Sequence, residues 1–185
     1  MKEQVDLKNI LKAGKLKDEL ELERALILDR KLRLIVIEHP ELADARKKLR
    51  AIIKSYEKLN WSNANQITDE QIIESDNAAF IAEQERVFLD TRKNEIKKRI
   101  SELNLTQQDL GKLLGHGKTY MSELMNGISP FTMRDIVILH RLLHIKLEKL
   151  IPTIISSKDR IKIKSSLSEL KNIQLKLENE ELVII

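Results

Sequence analysis

The sequence predicts an all-α protein, on three observations. Glycine, proline and aromatic residues are scarce (5 Gly, 3 Pro and 3% Phe, Trp and Tyr in 185 residues), while Leu, Ile, Lys and Glu dominate. Sandwiches and barrels need many turn residues and β-branched or aromatic strands, so this composition disfavours them. Apolar residues recur at steps of three and four, the helical period. Ser or Thr also stands three residues before an acidic or amide side chain at several of the expected helix starts. The length suits one compact domain or two small ones. Three segments are expected: a helical N-terminal segment over 1–67, a compact helical module over 68–155, and an amphipathic C-terminal extension over 156–185.

The first helix falls within 16–39, where Leu16, Leu20, Ala25, Leu26, Leu32, Ile35 and Val36 recur at helical spacing. His39-Pro40 stops it, because proline disfavours helical backbone in the residue before it. A second helix runs from Pro40 to about Leu59 with a seam of Leu42, Ala45, Leu49, Ile52, Ile53, Tyr56 and Leu59. Together they make an antiparallel hairpin. Its seam requires a third helix or a second copy to cover it, so it is the first candidate for a dimer interface, with the apolar stripe of the C-terminal extension as the runner-up. Residues 60–67 are polar and read as a linker. Thr68 and Gln71 fit a capping box. Residues 77–103 make one long helix or two, with Phe80, Val87, Phe88, Ile96, Ile100 and Leu103 as apolar positions. In the extension, Ser166 and Glu169 fit another capping box, opening a stripe of Leu167, Leu170, Ile173 and Leu177. Arg160 to Lys164 alternates in a way that also fits a short strand.

Several function classes are excluded or disfavoured. With no cysteine, disulfides, thiolate metal sites and a cysteine nucleophile are impossible. No stretch of about 18 uncharged apolar residues is present, and the N-terminus lacks the apolar core of a signal peptide. A cytoplasmic protein without a membrane partner is expected. No phosphate-cradling glycine loop, nucleophile motif or paired carboxylates are readable, so no enzyme and no cofactor are expected. His140 and His144 have metal-ligand spacing, but position 141 is Arg and no third ligand is near, so no metal site is expected either. The net charge of +4, from 33 basic and 29 acidic residues, permits nucleic-acid binding without arguing for it.

Residues 92–151 carry the functional pattern. After a helix over 92–103, Thr106 caps a new helix whose first turn holds Asp109. Gly111 falls inside that helix at a cost of about 1 kcal/mol relative to alanine, which close helix–helix approach would offset. Gly115 ends it. After His116-Gly117 a short helix runs from Lys118 to Asn126 and stops at Gly127. Met121, Leu124 and Met125 lie on one side; Lys118, Thr119, Ser122, Glu123 and Asn126 are spread over the other. Thr132 caps a last helix with Met133, Ile136, Val137, Leu139, Leu142 and Leu143, and Leu147, Leu150 and Ile151 close the core. Helix, glycine turn, short helix with an apolar inner and a polar outer face is the layout of a helix-turn-helix.

The stretch LTQQDLGKLLG–HGKTYMSELMNG resembles the helix-turn-helix of the XRE (phage-repressor-like) family through Thr106-Gln107, Gly111, Gly115, Met121-Ser122 and Asn126-Gly127. The resemblance implies a five-helix phage-repressor-like domain. The preceding Ala25-Leu26, His39-Pro40 and Trp61 are similar to the helical preface of HigA-type antitoxins. That narrower likeness implies an antitoxin that represses its own operon and neutralises a small ribonuclease-type toxin. Where the family carries an apolar and a small capping residue, this chain has His116 and Gly117, which weakens the apolar plug of the turn.

In helix-turn-helix geometry the helix from Lys118 enters the major groove of operator DNA. Lys118, Thr119, Ser122 and Glu123 are then the candidate base contacts: Lys118 toward guanine acceptors, Thr119 and Ser122 toward either partner, Glu123 toward cytosine. Thr106, Gln107, Lys112, Asn126 and Arg134 are the candidate phosphate contacts. The Lys97-Lys98-Arg99 run reads as a solvated helix face. One module offers few contacts, so a homodimer reading two half-sites about 34–36 Å apart is expected. The alternative is a protein-interaction scaffold with a degenerate helix-turn-helix.

Overall fold

The structure, a computed structural model, describes residues 6–63, 67–152 and 157–170. All regular structure among them is helical, and no strand occurs. Eight α-helices follow in order: α1 (Leu7–Ala13), α2 (Glu19–Ile35), α3 (Ala43–Asn60), α4 (Asp69–Glu102), α5 (Gln107–Leu114), α6 (Lys118–Asn126), α7 (Met133–Leu143) and α8 (Ser157–Glu169). Single 3₁₀ turns at Pro40–Leu42 and Leu147–Lys149 precede α3 and follow α7. The described residues from 6 to 151 belong to one compact unit, and α8 to a second.

Local chemistry sets most boundaries. Asp6 and Asp18 start α1 and α2 by accepting from the amides of Lys8 and Glu21. Gly14 ends α1 in the left-handed region. His39-Pro40 stops the chain after α2, and α3 begins one 3₁₀ turn later than the proline. Thr68 starts α4 by accepting from the Gln71 amide. The Gln71 side chain does not complete the box; it donates to the Asn60 carbonyl at the end of α3, tying the two helices together. The uncertain 77–103 stretch is part of one 34-residue helix, about 50 Å long.

The helix pair α2 and α3 is antiparallel: Asp29 pairs with Arg46, while ten residues earlier Glu19 accepts from Tyr56 and Trp61. Its seam is covered within the chain. Leu22, Ala25, Leu28 and Leu32 share a core with Leu49 and Ile53 of α3, with Leu7 and Ile10 of α1, and with Ile128 from the far end of α6. The seam is therefore spent intramolecularly and is not an open face for a second copy. Leu59, its last expected member, is exposed, so the seam ends at Tyr56.

Helix α4 spans both halves. Its N-terminal part lies on α2 through the small residues Ala78 and Ala82, which let the helices approach closely. Arg24 donates Nε to Glu85 at 2.7 Å, and Lys31 reaches Asp90. Phe80, Val87 and Leu103, expected as apolar packing positions, are exposed, because alanines occupy the buried line. The C-terminal part contributes Ile96 and Ile100 to a second core with α5, α6 and α7. Leu150 closes that core as expected, whereas Leu147 is exposed on the 3₁₀ turn.

The extension departs from expectation. Residues 160–164 lie in helix α8, not in a strand, and Ser166 sits inside that helix instead of starting one. Ile163 and Leu167, four apart in SKDRIKIKSSLSE, fit a helix as readily as the short alternation suggested a strand. Ile173 and Leu177 lie outside the described residues.

Candidate nucleic-acid interface

The amino end of α5 is built as a tight cap. The Asp109 amide donates to the Thr106 hydroxyl at 3.1 Å, and the Thr106 amide donates back to the Asp109 carboxylate at 3.1 Å. Hydrogen bonds from Thr106, together with Lys112 nearby, hold the Asp109 carboxyl below the usual carboxylate range. Thr106 is exposed, Gln107 half-buried, and Lys112 exposed and paired with Asp109. These three candidate phosphate contacts lie within two turns of one helix, where free amides and the positive helix end favour an anion.

The turn to α6 depends on close approach. A Cβ on Gly111 would lie 3.0 Å from the His116 carbonyl oxygen and 3.6 Å from Met121 Cγ, so the mid-helix glycine serves the contact expected of it. Gly115 takes φ +79°. His116 does not leave the turn unplugged. Its Nε2 lies 3.0 Å from Asp135 Oδ1, and its ring meets Tyr120 edge-on at 5.0 Å. Asp135 is fully buried, and its other oxygen accepts from the amide and hydroxyl of Thr132, the cap of α7. One carboxylate thus locks the turn to α7. Arg134 donates to the Leu114 carbonyl at the end of α5, so this candidate phosphate contact already has a structural task.

Helix α6 packs inward on Met121, Leu124 and Met125, all buried. Its other side divides. Lys118 is exposed at the start. Ser122 and Glu123 were expected to face outward, but they are only 7% and 9% exposed. Glu123 accepts from the Ser129 hydroxyl at 2.8 Å, and its carbonyl accepts from the Ile128 amide, so this side chain closes the α6–α7 loop. The Thr119 hydroxyl donates to Glu41 Oε1 at 2.6 Å. Asn126 accepts from Lys93 Nζ at 2.6 Å and donates to the Ser122 carbonyl, tying the end of α6 to α4. Gly127 ends the helix at φ +69°, and a Cβ there would lie 2.8 Å from Leu89 of α4.

Sequence reasoning missed the partners that close this side. Glu41 sits on Thr119, Lys8 Nζ lies 4.9 Å from the centre of the Tyr120 ring, and the Leu7 amide donates to the Ile128 carbonyl at 3.3 Å. The legible signal was Ile128: a fully apolar residue directly after a helix-ending glycine, where a surface turn wants polarity. The histidines have structural tasks, His140 through Nδ1 to the Ile145 carbonyl at 2.8 Å and His144 as the left-handed cap of α7. Among the described residues no group of three His, Asp or Glu is placed to hold a metal. No described helix is long and apolar enough to cross a membrane.

Neither a curated protein nor a solved structure matches the chain. A family model does: residues 96–150, from the end of α4 to the turn after α7, match helix-turn-helix. With α5, the Gly115 turn and α6 in the required order and packing, this segment has the geometry of a helix-turn-helix, the kind of module that binds DNA in transcription regulators.

Proposed function

We propose that the protein is a sequence-specific repressor that binds operator DNA as a homodimer, and that it is an antitoxin which represses its own operon and neutralises a small ribonuclease-type toxin. It acts where duplex DNA is, in the cytoplasm. The observation that carries the reading is the α5–α6 pair: a capped helix start with Thr106, Gln107 and Lys112 at one end, and Lys118 exposed at the start of α6. Lys118, Thr119, Ser122 and Glu123 are proposed to face base edges, and Thr106, Gln107, Lys112, Asn126 and Arg134 to face phosphates. The antitoxin reading rests on the similarity of the helical preface, which precedes the helix-turn-helix in the chain and offers further helical surface to a protein partner.

The second reading, a scaffold without DNA binding, is favoured by one observation: Ser122 and Glu123 are buried. Retention of the DNA upstream of the protein's own reading frame, measured at low and moderate salt, separates the two. Two basic contacts per module, Lys112 and Arg134, in a dimer give a log–log salt slope of about −3.5. A scaffold retains no DNA at either salt. Co-purification of the basic product of a neighbouring frame tests the antitoxin part, and the lack of any such complex overturns it.

A further inference from the structure

The side of α6 that the DNA reading requires is occupied by the chain's own N-terminal segment. Three elements meet there. The 3₁₀ turn at Pro40–Leu42 brings Glu41, whose carboxylate accepts from the Thr119 hydroxyl at 2.6 Å. Helix α1 brings Lys8 over the Tyr120 ring at 4.9 Å and the Leu7 amide to the Ile128 carbonyl. The loop after α6 reciprocates by sinking Ile128 into the core of α1, α2 and α3. Ser122 and Glu123 on the same helix are buried, Glu123 against Ser129 of the following loop. A recognition helix enters the major groove by its N-terminal residues and outer face. The first turn of α6 and the outer face behind it cannot hold Glu41 and a duplex at once.

We infer that the N-terminal segment is a built-in competitor of DNA: Glu41 and α1 close α6 in the free protein, and they leave when that face enters a groove. The inference rests on the DNA-binding reading above. The chemistry of the contact suits competition. The Thr119 hydroxyl, a donor that would serve a base or phosphate acceptor, is spent on a carboxylate oxygen. That carboxylate is a negative charge on the approach of a polyanion. The Glu41 end of the latch is shallow, since Glu41 is exposed and its contact with Thr119 is a single hydrogen bond, whereas α1 is held through Leu7 and Ile10 in the core that also buries Ile128. Binding is thereby reduced by the fraction of molecules that are closed, and any partner that holds α1 and the 3₁₀ turn away from α6 raises the affinity for DNA.

The test uses the full chain and a random-sequence duplex at low salt, where any working helix-turn-helix binds through phosphates. Glu41→Ala removes the carboxylate part of the latch and frees the Thr119 hydroxyl without replacing any proposed DNA-contacting residue, and it is expected to tighten binding about two- to fivefold, the scale of one exposed charged hydrogen bond. The opposite arm locks the segment shut. The chain has no cysteine, so Lys8→Cys with Tyr120→Cys provides the only two thiols, joined by a short reducible bis-methanethiosulfonate linker. The linked form is expected to bind at least about tenfold more weakly. Reductant is expected to restore the affinity in the same sample, so a folding defect cannot imitate the effect. Equal affinity of linked and released forms, with Glu41→Ala unchanged, overturns the competitor while leaving DNA binding standing. If wild type and Glu41→Ala both fail to bind duplex at low salt, the DNA reading itself falls.

Discussion

The two short helices of the helix-turn-helix differ in one respect. At the amino end of α5, Thr106 and Lys112 are exposed and Gln107 is half-buried, around a cap that closes on itself through Asp109. At α6 only Lys118 is exposed, while Thr119, Ser122 and Glu123 are engaged or covered. Both helices bury the same kind of apolar inner face in one core. What separates them is what lies on the outside: solvent over the start of α5, and α1 with the 3₁₀ turn at Pro40–Leu42 over α6. On the proposed reading, the half that would position on phosphates is open in this protein and the half that would read bases is covered, so register on a duplex and reading of its sequence would be separable.

The largest effect expected is at the hinge of that difference. Ile128 is fully buried in the N-terminal core although its chain position belongs to the helix-turn-helix. Ile128→Ala should cost about 2–4 kcal/mol in urea unfolding, the usual result of deleting a buried aliphatic side chain. Hydrogen exchange should quicken in α1 before it does in α7. Uniform quickening in both would mean that the two cores do not come apart and that the shutter is fixed. Asp135→Ala comes next, at about 2–3 kcal/mol, because it removes the buried acceptor of the Thr132 amide and hydroxyl in the α7 capping box and strips His116 of its partner in one change. The measurement is again urea unfolding, and a loss under 1 kcal/mol would show that the turn is held by the apolar contacts of Met121 and Leu124 instead.

How much of this was written in the sequence differs by region for physical reasons. The helix boundaries of the helix-turn-helix were legible, since its caps and glycines act locally: Thr106 with Asp109, Thr132 with Asp135, and left-handed Gly115 and Gly127 each declare a boundary within four residues, whereas Met133, Val137 and Leu142, expected in the core, are exposed. The packing line of α4 was not, because a small residue on a helix gives no hydrophobic signal, and Ala78 and Ala82 took the place assigned to Phe80 and Val87. The cover over α6 was illegible for another reason. Its contacts join residues far apart in sequence, such as Glu41 with Thr119, and a polar face looks the same whether solvent or another carboxylate meets it. Periodicity identified which side of α6 is hydrophilic but carries no information on whether that side is free.

Two milder changes sharpen the contrast on DNA. Lys118→Ala should leave thermal stability nearly unchanged, since the side chain is exposed, yet reduce discrimination between operator and random duplex by about 1–3 kcal/mol. A parallel loss on both duplexes would make Lys118 a phosphate contact and move the reading residues elsewhere on α6. Lys112→Ala should do the reverse, weakening both duplexes alike.

Lys112 gives the smallest expected effect and the most diagnostic one. Its ammonium pairs with Asp109 one turn away and the side chain is exposed, so removing it disturbs no packing among the described residues. If it neutralises one phosphate per module, the log–log salt slope of binding should become shallower by about 1 per module, with the ratio of specific to random affinity unchanged. Combined with Glu41→Ala the two effects should add, because one acts at the open helix and the other at the shuttered one, with no shared partner. Strong non-additivity would mean that α5 cannot hold the backbone until α6 is uncovered. The open and closed halves would then be one coupled device.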